Sequence, residues 1–151
     1  MGFHVGGLIN LFIGKKRNDF FEMALHHLLT LYLFGGSYMF NVWECAAVIA
    51  FLHDIADIPG NLTKTLTNTN YGNVTAVAFI VTMVIWFYTR CFIFGTIIYQ
   101  IIEMDVLLGH AMVKPFFCYL LSCLYLLHWY WFHIFCKLLY KYAFTGETED
   151  T

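Results

Sequence analysis

Charged side chains are scarce in this chain. Lys, Arg, Asp and Glu make up 12% of its 151 residues, about half the share of an ordinary soluble domain. Eight basic and ten acidic groups cannot clothe a fold of this size in polar surface. That excludes a simple cytosolic domain and a nucleic-acid binder. The net charge of −2 marks no electrostatic partner. Disorder is excluded as well, because 60% of the residues are hydrophobic and 20% aromatic. Paired cysteines are also missing. Cys45, Cys91, Cys118, Cys123 and Cys136 stand singly in apolar runs with no C-x-x-C pair, so they read as small buried residues, not a disulfide framework. No His-x3-His or Glu-x-x-His pair sets two ligands on one helix face, and no metal site is expected. Met1 to Ile13 lacks a basic segment ahead of it, which argues against a cleavable signal peptide. It is also too short to span about 30 Å of hydrocarbon as a helix.

What the chain has in excess is long apolar runs, which place it in a bilayer. Four crossings are expected: Leu25 to Trp43, Cys45 to Ile58, Val74 to Ile102 and Pro115 to Cys136. The fold class is therefore all-α, a polytopic membrane helix bundle of about four transmembrane helices. The third run would be about 43 Å long and must tilt, kink or overhang. Pro115 suits a helix start, where its missing N–H has no partner to lose. The segment from Ile58 to Asn73, rich in Gly, Asn and Thr, reads as a loop. Lys15, Lys16 and Arg17 precede the first crossing, and Lys137 and Lys141 follow the fourth. An even number of crossings puts both clusters, and Lys64, on one side, which the positive-inside rule makes cytosolic. The sequons at Asn61 and Asn73 would then stay unmodified. Thr75, Thr82, Thr89 and Thr96 recur every seven residues as a helix-packing stripe.

The polar residues inside the crossings are few and ordered. On an ideal helix Glu22, His26, Thr30, Ser37, Asn41 and Glu44 share a sector of roughly 100°, with His27 beside it. Such a seam faces other helices or a wet cavity, because polar groups exposed to lipid are costly. The second crossing answers with His53, Asp54 and Asp57, the two carboxylates three residues apart on one face. Carboxylates at membrane depth need a partner, and a carboxylate can fix an imidazole's tautomer while its other nitrogen acts as base or nucleophile.

The stretch from Arg17 to Lys64 resembles the longevity-assurance motif of ceramide synthases, within the TRAM–LAG–CLN8 (TLC) membrane domain family, here N-terminally shortened. The residues that carry the likeness are Arg17, Asp19, Phe20, Glu22, Met23, His26, His27, Thr30, Leu33, Ser37, Tyr38, Asn41, His53, Asp54, Asp57 and Lys64. Thr89-Arg90 and Leu126-Leu127-His128 with Trp131 are similar to the family's last two helices. The chain departs from the family pattern at Glu44, Ala46 and Pro59 to Asn61. The likeness implies one membrane domain, a partial TLC domain: a short apolar segment (1–14), TLC-like helices (15–141) and an acidic tail (142–151). It implies transfer of an acyl group from acyl-CoA to the amine of a sphingoid base, with His26, His27, Asp54 and Asp57 as catalytic residues. His53, Ser37, Tyr38, Asn41, Arg90, His128 and Trp131 are the candidate substrate-binding residues. No bound cofactor is implied; acyl-CoA would be a co-substrate. A second reading stands beside it: a non-catalytic TLC-like subunit of a larger membrane complex, in the mitochondrial inner membrane. The first reading puts the chain in the endoplasmic reticulum. Both anticipate the bilayer and homo- or hetero-oligomeric membrane chains as partners.

Overall fold

The computed structural model describes residues 20–67, 72–103 and 113–145, together with Gly6 and Ile9. The basic cluster at 15–17 and residues 146–151 lie outside the described residues. Four helices form the bundle: α1 (Phe20–Met39), α2 (Trp43–Thr67), α3 (Gly72–Glu103) and α4 (Val113–Thr145). Among the described residues there is no strand. Helices α2 and α3 are each long and apolar enough to cross a membrane by length and composition. At 1.5 Å per residue, α1 is about 30 Å long and α4 about 50 Å, so both have the length of a crossing.

Each helix packs on its sequence neighbours, and α4 closes back on α1, leaving α2 and α4 diagonally opposed. One buried layer joins Leu33, Ile49, Phe94, Ile98, Phe117, Leu121 and Leu124. A second joins Ala56, Trp86 and Cys91, with Trp131, Phe132 and Phe135 packed against it. Outside, Phe21, Tyr32, Phe51, Val77, Val84 and Tyr119 are exposed. An outward apolar coat over a buried polar seam is the inverse of a soluble bundle and suits lipid as solvent. The five cysteines are free, and of them only Cys91 is buried.

The helix boundaries differ from the sequence expectation at three places. First, α1 ends at Met39, and Trp43 begins α2. Asn41 takes φ 57°, the left-handed conformation in which asparagine is tolerated. Its neighbours close the helix end: Val42 N–H donates to Ser37 O at 2.9 Å and Asn41 N–H to Tyr38 O at 3.3 Å. Second, α2 continues through Pro59 and Gly60 to Thr67, where a loop was expected. Threonine hydroxyls hold this stretch by donating back one turn, Thr63 to Pro59 O, Thr65 to Asn61 O and Thr67 to Thr63 O, each at 2.9 Å. Helix α3 completes the support through Thr63–Thr82 at 2.8 Å and Thr75 to Leu66 O at 3.2 Å. Tertiary contact overrides local composition here. Third, Tyr142 to Thr145, expected in the acidic tail, continue α4.

Helix α3 is not α-helical throughout. Phe87–Ile93 form a π-helical segment between two α-helical stretches. Its wider turn breaks the seven-residue threonine rhythm. Thr82 and Thr89 are buried, whereas Thr96, beyond the π segment, is exposed and bonds to Ile93 O. Turns of this kind concentrate at functional sites, and this one carries Arg90.

Candidate functional site

Histidines from three helices meet in the bundle. His26 and His27 lie on the buried face of α1 with Leu29, Thr30 and Leu33. Thr30 Oγ1 donates to the His26 and His27 carbonyls at 2.9 Å, which fixes the turn that presents both rings. His53 comes from α2 and His128 from α4. The ring of His26 lies 5.6 Å from His27, 6.1 Å from His53 and 6.3 Å from His128, centroid to centroid. Trp131 stands edge-on to His26 at 5.3 Å, and Phe94 edge-on to His128 at 5.2 Å.

One polar contact between rings crosses the bundle diagonal. His53 Nδ1–H donates to the Ile49 carbonyl at 2.7 Å. A carbonyl can only accept, so in the neutral ring Nε2 of His53 is the acceptor. It lies 3.1 Å from Nε2 of His128, which then carries the proton and donates. His128 is 0% exposed, and its Nδ1 has no hydrogen-bond partner among the described residues. Trp86 Nε1–H donates to the His128 carbonyl at 3.4 Å, holding α4 against α3 at this level.

Arg90 is the buried cation beside this pair, 3% exposed. Its Nη2 donates to the His53 carbonyl at 3.0 Å and to Asp57 Oδ1 in a short ion pair. Its guanidinium lies over the Trp86 ring, 4.2 Å from the centroid. A cation in a membrane helix requires such company. The π turn of α3 supplies the rotation that points Arg90 inward.

The sequence-derived candidates therefore divide. His26, His27, His53, Arg90, His128 and Trp131 come together. Asp57 joins through Arg90, with its side chain 46% exposed. Asp54, one turn back on α2, is exposed. Ser37 is buried nearly three turns from His27 and bonds to Leu33 O. It lines a narrow apolar cavity with Leu33, Val42, Cys45, Ala46, Ile49, Ile101, Phe117 and Leu121. Tyr38, 81% exposed, and Asn41, in the turn, are not brought to the histidines. The expected seam is thus corrected: it ends at Ser37 because α1 ends at Met39, and Glu44 is exposed on α2. Trp86 was missed. Its position one helical turn before an intramembrane arginine was the available signal. Among the described residues, no group of His, Cys, Asp and Glu side chains is disposed to hold a metal ion.

Four imidazoles, a buried guanidinium and a carboxylate inside an apolar bundle define a membrane protein with an intramembrane polar site. The TLC domain model matches residues 1–137, and the chain belongs to that family. Among curated proteins, ceramide synthase 4 of Mus musculus is 35% identical over 99% of this chain and 39% of its own length. Ceramide synthase hyl-2 of Caenorhabditis elegans is 26% identical over 99% of this chain and 49% of its own. Sphingosine N-acyltransferase lag1 of Schizosaccharomyces pombe is 28% identical over 97% and 41%. The chain spans about two-fifths to one-half of the length of these relatives. No solved structure matches it.

Proposed function

We propose that this protein is a ceramide-synthase-like N-acyltransferase of the endoplasmic reticulum membrane. It would move an acyl group from acyl-CoA to the amine of a sphingoid base. The observation that carries this reading is the convergence of His26, His27, His53 and His128 within an apolar bundle. Imidazole is the side chain suited to take a proton or an acyl group near neutral pH. An apolar surround suits substrates whose bulk is hydrocarbon. In this reading His26 or His27 attacks the thioester or deprotonates the amine. Asp57 and Asp54 balance the Arg90 cation and the charge that forms on the imidazoles during transfer.

The test is CoA release by the purified chain in lipid nanodiscs supplied with acyl-CoA and sphinganine. Wild type is expected to release CoA and form the amide. His26→Ala and His27→Ala are each expected to lower the rate by at least about 10²-fold, the lower end of what a positioned acid or base contributes. Unchanged rates in both variants would overturn the reading.

One observation favours a second reading, a non-catalytic subunit that keeps the motif as a packing core. His128 is fully buried, and His26 and His128 contact Trp131, Trp86 and Phe94. Absence of CoA release from wild type, with stable recovery in a larger membrane assembly, would favour that reading.

A further inference from the structure

The proposed roles of His26 and His27 leave one piece of polar geometry unexplained. His53 and His128 reach across the bundle diagonal to bond ring to ring at 3.1 Å. The bond cannot be dismissed as mere filling. Burying two imidazoles costs free energy that Leu or Phe would not, unless every ring nitrogen is satisfied. Three of the four are satisfied, in a directed chain: His128 Nε2–H to His53 Nε2, and His53 Nδ1–H to the Ile49 carbonyl. The fourth, Nδ1 of His128, is a buried lone pair without a partner among the described residues. A buried acceptor left open is costly, a cost that a donor brought by a ligand would remove.

The surroundings are built to keep this chain in one orientation. Arg90 grips the His53 carbonyl at 3.0 Å, and Trp86 grips the His128 carbonyl at 3.4 Å. Both rings are thereby anchored through their own backbones, and Arg90 and Trp86 are held to each other by the guanidinium–indole contact. Phe94 stands edge-on to both rings, 5.6 Å from His53 and 5.2 Å from His128. The titratable and charged groups nearest the pair are His26 from α1, Asp57 from α2 and Arg90 from α3.

The geometry points to a two-ring proton relay, His128 to His53, whose open Nδ1 on His128 takes the proton of the sphingoid amine. This inference rests on the acyl-transfer reading and assigns its base. The neutral amine gives one N–H proton to Nδ1 of His128 as its nitrogen bonds to the acyl carbon. His128 passes its Nε2 proton to His53 Nε2 and stays neutral in the opposite tautomer. His53 becomes the cation, its Nδ1–H held by the Ile49 carbonyl. The bond from acyl carbon to sulfur breaks, directly or by way of an acyl group on His26. The proton returns from the pair to the thiolate and gives CoA thiol. Atoms and charge balance without a further reactant. The arrangement also separates two tasks that a single imidazole cannot hold at once. His26, one ring away, is left free of the amine's proton.

The experiment uses the full chain, labelled with 15N-histidine, in lipid nanodiscs, with resonances assigned from single His→Gln variants. Solid-state NMR is expected to show His53 protonated at Nδ1, His128 protonated at Nε2, and a nitrogen–nitrogen coupling across the bond between them. His128→Gln removes that coupling. Sphinganine added without acyl-CoA is expected to shift the Nδ1 resonance of His128, while His26→Ala leaves that shift in place. In the CoA-release assay His128→Gln is expected to lower kcat by about 10²–10⁴-fold with KM little changed, since the lost function is proton transfer and not binding. His53→Gln, which leaves His128 in place, is expected to do the same.

The inference is overturned if His128 is protonated at Nδ1, if its resonance ignores sphinganine, or if His128→Gln releases CoA at the wild-type rate. A sphinganine-induced shift in a wild type that releases no CoA would separate the two claims. The amine site on His128 would then stand, and the acyl-transfer reading would fall.

Discussion

Arg90 decides much at the scale of single residues, because it is one side chain with three different partners. Its ion pair with Asp57 is half open to solvent at the carboxylate, 46% exposed against 4% for Arg90. Screening at the open end weakens the Coulomb term, whereas the guanidinium itself has no water to fall back on. Removing Arg90 therefore costs less than the ~3–5 kcal/mol of a fully buried pair. Arg90→Ala is expected to cost about 2–3 kcal/mol in a thermal or denaturant melt in detergent. Arg90→Lys keeps the charge for Asp57 but loses the planar fork that serves the His53 carbonyl and Trp86 together, an expected loss of about 1 kcal/mol. A double-mutant cycle with Asp57→Asn isolates the ion pair. Additive single effects would show that Asp57 and Arg90 do not work as a pair. The same residues show where sequence alone stops. His26 and His27 were legible, because a helical face of polar residues in an apolar run needs a reason to be there. Arg90, His128 and Trp131 were legible only through the family likeness, since nothing in their local spacing ties them to α1 or α2. That Asp57 bonds to Arg90 while Asp54 is exposed depends on the rotation of α3, which no local pattern records.

That rotation is a property of an element, the π segment Phe87–Ile93. The extra residue lets Trp86, Thr89, Arg90, Cys91 and Phe94 all be buried. A continuous α-helix at 100° per residue would spread five such positions over about 200° of its circumference. Deleting one exposed residue, Tyr88, is expected to restore regular helix. Arg90 and Trp86 could then no longer stack while Phe94 stays in its layer. The variant is expected to lose more stability than Arg90→Ala and to lose the shift of His128 by sphinganine. Retention of both would show that the π turn is incidental. Crossings read from apolar runs were right in number and order, because the bilayer demands long helices and the run lengths meet that demand. Their ends were not. Composition between Ile58 and Asn73 looks like a loop, yet threonine back-bonds and the Thr63–Thr82 contact carry α2 on to Thr67. Asn41 could have been read as a left-handed helix end, since asparagine is the residue other than glycine most at home there.

At the scale of the whole molecule the bundle is polarised along its axis. The helices alternate in direction, so the end of α2 with Lys64, the start of α3 and the end of α4 with Lys137 and Lys141 share one face of the membrane. That end carries Thr63, Thr65, Thr67, Asn61 and Asn73, the most polar stretch of the described helices. Helix α3, with 32 residues, is about 48 Å long and exceeds the ~30 Å hydrocarbon layer. The polar end is the natural place for the excess to emerge. Asp57 lies about 15 Å along α2 from Thr67 and His53 about 21 Å, which sets the Asp57–Arg90–His53 layer near the middle of the bundle, with Asp57 toward the lysine-bearing end. A CoA thioester is a polyanion that does not cross a bilayer. The acyl-transfer reading therefore requires the lysine-bearing end to be cytosolic, as the positive-inside rule also requires. Glycosylation mapping in microsomes tests this without any activity. The sequons at Asn61 and Asn73 are expected to stay unmodified, and a tag bearing a sequon inserted between α3 and α4 is expected to be glycosylated. The reverse pattern would turn the lysine-bearing end, and Asp57 beside it, toward the lumen, where no acyl-CoA reaches, and would count against acyl transfer whatever the rings can do.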